Sequence, residues 1–135
     1  MKNKIVILVV EDEAIIRMAA VDMLEEAGFA VVEAADADSA IRILELRNDV
    51  RAVFTDINMP GSLDGLRLAH AIRGRWPPIH LILTSGRLAA SDEYFPTDGR
   101  FIRKPYRTED VIATIRELLA SKPPNQPIEG CKRVA

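Results

Sequence analysis

The sequence predicts a doubly wound α/β fold, in which helices cover both faces of a five-stranded parallel sheet. Two observations predict it: short apolar runs recur along the chain, and a segment with helical spacing of apolar residues follows each run. Short, unbroken apolar runs are typical of strands that are buried on both faces of a parallel sheet. Because crossovers between parallel strands are right-handed, five such alternations place helices on both faces.

The five predicted strands are the apolar runs themselves. The first run is continuous and rich in β-branched residues, the fourth is interrupted by His80, and the last is the weakest. In chain order, the runs are Ile5–Val10, Val31–Val32, Ala52–Phe54, Ile79–Leu83 and Phe101–Ile102.

The first three predicted helices have clear apolar faces. We expect the first, Ala14–Ala27, to end at Gly28. Asp38 is expected to cap the second helix, and Asp64 the third. The residues expected to face the core are Ile15, Ile16, Ala19, Met23 and Ala27 in the first helix, Ala40, Ile43 and Leu44 in the second, and Leu68, Ala69 and Ile72 in the third.

The last two predicted helices differ in strength. The segment Arg87–Tyr94 has few apolar residues, so we expect its helix to be short or mobile. The final helix follows Thr108 and starts with Glu109 and Asp110, acids that suit the positive end of a helix. Its expected core residues are Val111, Ile112, Ile115, Leu118 and Leu119.

Length and composition bound the class of protein. A chain of 135 residues corresponds to one domain, and 48% hydrophobic with 28% charged residues is ordinary for a globular protein. The net charge of -2 argues against nucleic-acid binding through a large basic face. Cys131 is the single cysteine, which excludes an intramolecular disulfide and a cysteine-based zinc site. No apolar stretch approaches the ~20 residues of a membrane span, so we expect a cytoplasmic protein without a membrane partner.

One composition shift divides the chain. After Ser121 the sequence changes to Lys-Pro-Pro-Asn-Gln-Pro, which is typical of disorder. We therefore expect one domain over residues 1–121 and a disordered tail over residues 122–135.

Polar side chains that could take part in catalysis or bind a metal follow four of the five predicted strands. Glu11 and Asp12 follow the first strand, Asp56 the third, Thr84 ends the fourth, and Lys104 follows the fifth. In the flavodoxin-like strand order 2-1-3-4-5, these four strands are neighbours. Ligands of such sheets bind outside the carboxyl ends of the strands, where the strand order reverses. We therefore expect these five side chains to form one site.

The residue types at these positions suit phosphoryl chemistry. Carboxylates brought together repel one another, so Asp12 and Asp56 require a positive partner. A small set of oxygen ligands suits Mg²⁺. Lys104 adds a second cation and Thr84 a hydroxyl donor. With a metal and a lysine to offset charge on the oxygens, Asp56 is placed to accept a phosphoryl group.

From about Lys4 to Leu119, the chain resembles the receiver domain of two-component response regulators, and within that family the small, stand-alone, chemotaxis-regulator-like receivers. Any one of the matching segments is weak evidence by itself, but all of them in order and at fitting spacing are specific. The segments are Val9–Glu13, Thr55–Pro60, Asp64–Gly65, Leu83–Gly86 and Lys104–Pro105.

The resemblance implies a phosphoacceptor and a metal site. By resemblance, Asp56 is phosphorylated by a histidine kinase or a phosphotransfer protein in the presence of Mg²⁺. Asp12 would bind the metal directly, Glu11 mainly through water, and Asn58 through its backbone carbonyl. Asp56 would also belong to the metal site. Lys104 would hold phosphoryl oxygens and precede a cis peptide bond to proline.

The resemblance also implies a switch. Thr84 would contact the phosphoryl oxygens and move toward them, and the aromatic switch position of the family falls on Phe101. Phe101 has no hydroxyl group, so its switching would depend on packing alone, and a plain core role is the alternative. Two segments depart from the family pattern: the loop Pro60–Gly65 is one residue longer, and the segment between Thr84 and Lys104 is shorter.

The expected output is contact with another protein in trans. The segment after the last helix is too short for a helix-turn-helix unit, so no DNA-binding domain is expected. We expect a phosphoprotein that is a monomer or a weak dimer, with an unknown output partner.

Two other functions compete with this one. A Mg²⁺-dependent phosphohydrolase of the haloacid-dehalogenase type would use Asp56 as nucleophile and a second aspartate two residues later as general acid and base. This chain has Asn58 there, so we expect no enzyme. A degenerate receiver would bind its partner constitutively. The intact set of site residues argues against this: Glu11, Asp12, Asp56, Thr84 and Lys104.

Overall fold

The computed structural model describes residues 4–57, 65–85 and 99–120. Its five strands form one parallel sheet in the order β2-β1-β3-β4-β5, which confirms the predicted fold class and strand order. The strands are β1 (Val6–Val10), β2 (Ala30–Ala34), β3 (Val50–Asp56), β4 (His80–Ser85) and β5 (Arg100–Arg103). The helices of the described residues are α1 (Ala14–Glu26), α2 (Ala37–Leu46), α3 (Gly65–Arg75) and α4 (Thr108–Ala120).

The core lies in two layers, one on each face of the sheet. Alternate residues of β1 separate them: Leu8 belongs to the layer with α2 and α3, and Ile7 to the layer with α1 and α4. All five residues of β1 are buried, as expected for a central strand that is covered on both faces. Burying one large aliphatic side chain stabilises the fold by about 1.5–3 kcal/mol before entropy costs.

The predicted buried face of α1 is wrong at two of its five residues. The other three are half-buried: they are Ile16 and the two that pack against the core, Met23 and Ala27. Ile15 is 80% exposed and Ala19 is also exposed, whereas Ala20 and Leu24 are buried. Consecutive residues of an α-helix lie about 100° apart around its axis, so a stripe centred on Ala20 and Leu24 turns Ile15 toward solvent. The apolar pattern alone is compatible with two rotations of the helix about its axis, one that buries Ile15 and Ala19 and one that buries Ala20 and Leu24. The end of α1 is as predicted, because Gly28 follows it with a φ of +103°.

The predicted cap of α2 is also wrong. Helix α2 begins at Ala37, and the carboxylate of Asp36 accepts a 2.7 Å hydrogen bond from the backbone N–H of Ser39. Asp38 lies in the first turn instead. The extended backbone of Asp36 directs its side chain toward the free N–H groups of the helix, and Asp38 is already helical.

The remaining core predictions for helices hold with small changes. In α3, Leu68, Ala69 and Ile72 are fully buried, as predicted. In α2, Ala40 and Leu44 are buried as predicted, and Ile43 is half-buried. Helix α4 carries its two acids in the first turn and buries Val111, Ile115 and Leu118, with Ile112 and Leu119 half-buried.

Some predictions concern residues beyond those that the structure describes. They are the helix in Arg87–Tyr94, the cap Asp64, the lengthened loop before Gly65, and the tail over residues 122–135. Among the helices of the described residues, none is long and apolar enough to span a membrane.

Candidate functional site

The carboxyl ends of the central strands bring the predicted site residues to one edge of the sheet. Glu11 directly follows β1, and Asp56 is the last residue of β3. The register aligns Asp56 with Thr84 of β4, so their side chains lie on the same face. Lys104 directly follows β5. The edge strand β2 contributes none of the predicted residues, as the strand order requires.

Lys104 is the cation of the site. Its Nζ atom lies 3.1 Å from Oδ2 of Asp56 and 3.6 Å from Oε1 of Glu11. The peptide bond between Lys104 and Pro105 is cis. Burial by itself lowers the pKa of Lys104, but the hydrogen bond and the charge of Asp56, with the charge of Glu11, raise that pKa above its ordinary value. Lys104 is therefore a fixed positive charge.

Three carboxylates converge beside this lysine. One oxygen atom from each of Glu11, Asp12 and Asp56 lies within 4.8 Å of the other two. Glu11 and Asp56 are buried, and Asp12 is exposed. The pKa of Glu11 is raised, first by burial and also by the charge of Asp56. Among the residues that the structure describes, Lys104 forms ion pairs with two of these three acidic groups, Glu11 and Asp56.

The donor set fits Mg²⁺. The three clustered side chains all offer carboxylate oxygens, and Mg²⁺ is usually held by one or two carboxylates together with water. Asn58, whose backbone carbonyl is the fourth predicted ligand, lies outside the described residues. Thus Glu11, Asp12 and Asp56 form a candidate metal centre that is open to water on the side of Asp12.

The two predicted switch residues occupy different positions. Thr84 is buried next to Asp56 on the adjacent strand, and its backbone carbonyl accepts a 2.9 Å hydrogen bond from the N–H of Ile57. Phe101 of β5 is half-buried and packs against the core layer of α2 and α3. Thr84 therefore belongs to the site, whereas Phe101 lies in the adjoining core.

The sequence reasoning missed two side chains that adjoin the site. Arg17 of α1 donates a 2.8 Å hydrogen bond to the backbone carbonyl of Glu11. The ring of Tyr106 packs edge-on against Phe54 with centroids 5.7 Å apart, and burial raises the pKa of its phenol. A signal for Arg17 existed: it is the only basic residue of α1 and lies near the positive end of the helix, where a cation is disfavoured.

The fold and the site together define the class. This is a doubly wound α/β protein with an acidic, lysine-paired centre at the point where the strand order reverses. Residues 7–116 match the family model of the response regulator receiver domain, and the chain belongs to that family, which functions in two-component systems.

The chain is similar to known proteins in both sequence and structure. The chain is 35% identical over 119 residues to the sensor kinase CckA of Brucella abortus, covering 84% of this chain and 12% of that protein. It resembles the crystal structure of a response regulator receiver protein from Sinorhizobium medicae, with a TM-score of 0.83 and 27% identity over 88% of this chain and 97% of that one.

A second solved structure was determined with a metal. It is the response regulator protein TrrA from Thermotoga maritima in complex with Mg²⁺-BeF, with a TM-score of 0.76 and 26% identity over 83% of this chain and 96% of that one. Relatives can be much longer than this chain, which spans 12% of the length of CckA and 48% of that of the Escherichia coli aerobic respiration control protein ArcA.

Proposed function

We propose that Asp56 accepts a phosphoryl group from a histidine kinase or a phosphotransfer protein, and that the phosphorylated form presents a changed surface to a protein partner. One observation carries the proposal: Asp56 is buried at the end of β3, hydrogen-bonded at 3.1 Å to Lys104 and clustered with Glu11 and Asp12. This arrangement supports the roles that we propose: Asp56 as the nucleophile, Lys104 as the cation and the three carboxylates as metal ligands.

The transfer requires little covalent chemistry from the protein. One oxygen of Asp56 forms a bond to phosphorus while the bond from phosphorus to the donor nitrogen breaks, and the nitrogen keeps the electron pair. We propose that Lys104 and the hydroxyl of Thr84 hold the phosphoryl oxygens as the group arrives. The catalytic contribution is therefore positioning and charge compensation.

We propose that Glu11, Asp12 and Asp56 hold Mg²⁺, with the backbone carbonyl of Asn58 as a further predicted ligand. The metal would neutralise charge on the phosphoryl oxygens. Support comes from the all-oxygen donor set of the three clustered carboxylates and from the complex of the related TrrA with Mg²⁺-BeF.

The proposed switch begins at the same residues. Phosphorylation adds a charge of about -1.5 to -2. Because Lys104 already bonds Asp56, this new charge redistributes contacts around Lys104 and the neighbouring Thr84. We propose that Phe101, two strands from Asp56 and half-buried, transmits the change to the surface by repacking. The output is then a protein contact that depends on phosphorylation.

We infer that this domain signals rather than turns over a small substrate. The family supports this inference, and so does Asn58, which stands where a phosphohydrolase of the haloacid-dehalogenase type needs an aspartate as proton shuttle. Hydrolysis of a small phosphate monoester that disappears in Asp56→Asn would contradict it.

The first experiment measures intact mass after incubation with Mg²⁺ and a phosphoryl donor. Two donors are used, acetyl phosphate and phosphoramidate, because the second carries the phosphorus–nitrogen bond of the natural donor class. We compare wild type with Asp56→Asn, and with Asp22→Asn as a matched control on the exposed face of α1.

The expected result is one added phosphoryl group in wild type and in Asp22→Asn, and none in Asp56→Asn or with excess chelator. Wild type that gains no mass from either donor would refute the proposal. Equal phosphorylation of Asp56→Asn would also refute it, because the acceptor would then lie elsewhere.

A further inference from the structure

The loop between β1 and α1 is anchored by a residue to which no role has been assigned. Arg17 donates one hydrogen bond from Nη1 to the backbone carbonyl of Glu11, at 2.8 Å, and another from Nε to Oε1 of Glu33, at 2.9 Å. The Arg17 side chain is 20% exposed, so solvent screens these bonds only in part. The planar guanidinium donates to both acceptors at once in a fixed geometry.

Helix stability does not explain an arginine at this position. The positive end of the helix dipole disfavours a cation near the start of α1. The N-cap residue Glu13 makes no side-chain cap, and the first turn contains no acidic residue to offset Arg17. The two hydrogen bonds of Arg17 therefore compensate for an unfavourable position, and both act on the loop that precedes the helix.

These bonds fix the backbone on which the acidic cluster is built. The N–H of Glu11 donates to the carbonyl of Ala34 at 3.1 Å, so with Arg17 both polar backbone groups of Glu11 are held. Oε2 of Glu11 in turn accepts a 3.1 Å hydrogen bond from the N–H of Glu13. Because a peptide unit is planar, the direction of the Glu11 carbonyl also sets where the backbone of Asp12 lies.

We propose that Arg17 is a positioning residue for the metal centre. It ties the loop to Glu33 of β2, so that the carboxylates of Glu11 and Asp12 are held in place to meet that of Asp56. This inference rests on the proposed Mg²⁺ site and assigns a function to β2, the one strand that supplies none of the predicted site residues. Groups that orient metal ligands typically contribute about 10- to 100-fold to metal affinity.

The sign of the effect separates positioning from simple charge. Arg17 is a cation bonded to the backbone of Glu11, so loss of its charge alone would strengthen Mg²⁺ binding in the adjoining cluster. Loss of positioning would weaken it. Arg17→Gln removes both the charge and the planar set of N–H donors of the guanidinium. Arg17→Lys keeps the charge but cannot form both hydrogen bonds in the same geometry.

Arg116 provides a matched control. It donates a 3.0 Å hydrogen bond to the backbone carbonyl of Ala27, at the opposite end of α1 from the site. Arg116→Gln therefore removes a similar bond from a guanidinium to a carbonyl near the same helix, without touching the loop that carries Glu11 and Asp12. A general loss of stability would appear in both variants.

The experiment is a calorimetric titration of each full chain with Mg²⁺ alone, with thermal unfolding recorded in parallel. We expect the dissociation constant to rise about 10-fold in Arg17→Gln, by a smaller factor in Arg17→Lys, and not at all in Arg116→Gln. If Arg17→Gln does not fold, Arg17→Lys alone carries the test, because it keeps the charge and cannot form both hydrogen bonds in the same geometry. The expected sign is the same.

Each other outcome overturns the inference in a distinct way. Unchanged or tighter Mg²⁺ binding in Arg17→Gln, or in Arg17→Lys if that variant alone is used, overturns the role of Arg17 and leaves the proposed metal site intact. Equal weakening in Arg116→Gln shows that the effect is a general loss of stability. Wild type that binds no Mg²⁺ refutes the metal site itself, and the inference with it.

Discussion

Replacing Gly65 with alanine is expected to push the start of α3 away from the end of β3. A Cβ atom on Gly65 would overlap the backbone carbonyl oxygen of Asp56 and would lie 2.5 Å from the Cα atom of Ile57. These are backbone atoms, so no side-chain rotation relieves the contact. Gly65 therefore allows a close approach that places the helix directly behind the proposed phosphoacceptor.

The magnitude follows from the size of the overlap. Carbon atoms in contact lie about 3.5–4.0 Å apart, so the helix start or the strand end must move by about 1 Å. Overpacking of this kind destabilises a protein by about 1–3 kcal/mol. A displacement of about 1 Å in a reacting group lowers the rate of reaction by about 100-fold. We expect both effects in Gly65→Ala, because the displaced backbone belongs to Asp56.

Urea unfolding and the rate of phosphorylation by acetyl phosphate measure the two effects. Gly74→Ala is the matched control, because Gly74 lies in the same helix and a Cβ there meets nothing within 4 Å. We expect that control to stabilise the fold by about 0.4–1 kcal/mol and to leave the rate unchanged. If Gly65→Ala matches wild type in stability and rate, the close packing described above is wrong.

Two further predictions concern the corrected helices. Asp36→Ala should cost about 1 kcal/mol at neutral pH through loss of the cap of α2. The hydrogen bond from Ser39 lowers the pKa of Asp36, so this contribution is complete above the unfolded-state pKa and is lost as the pH falls through the folded-state pKa. A difference in unfolding free energy that persists in acid would contradict it. Leu24→Ala should cost about 2–5 kcal/mol because Leu24 is fully buried. Ile15→Ala should change the free energy of unfolding by less than about 0.5 kcal/mol. If urea unfolding shows a similar loss of stability in Leu24→Ala and Ile15→Ala, the original prediction that Ile15 faces the core is restored.

The candidate site was accessible to sequence reasoning because strand ends are easy to locate. A buried parallel strand is a short apolar run, and the first polar residues after it lie at the carboxyl edge of the sheet. Glu11, Asp56 and Lys104 each stand directly at such an end. The structure brings a carboxylate oxygen of Glu11 and one of Asp56 within 3.6 Å of Lys104 Nζ. Their roles in phosphoryl transfer remain proposals.

The helix faces were less accessible for a physical reason. Rotating a helix by one residue, about 100°, keeps much of an apolar stripe when apolar residues are adjacent in sequence. In α1, Ile15 stands next to Ile16, and Ala19 next to Ala20. Only packing against the sheet chose Ala20 and Leu24 over Ile15 and Ala19. The wrong prediction for the cap of α2 has a similar cause. Asp36 and Asp38 lie two residues apart, and either aspartate could precede the helix.

The sequence by itself determined the five-stranded parallel sheet and the residues that stand at its carboxyl edge. These depend on local hydrophobic runs and on topological rules that hold for any such sheet. Only the tertiary structure decided which side chains anchor that edge. Arg17 reaches Glu33 across 16 residues, and the backbone of Gly65 meets that of Asp56. Such contacts join segments that are distant in the chain, so they form only when the packed fold brings those segments together.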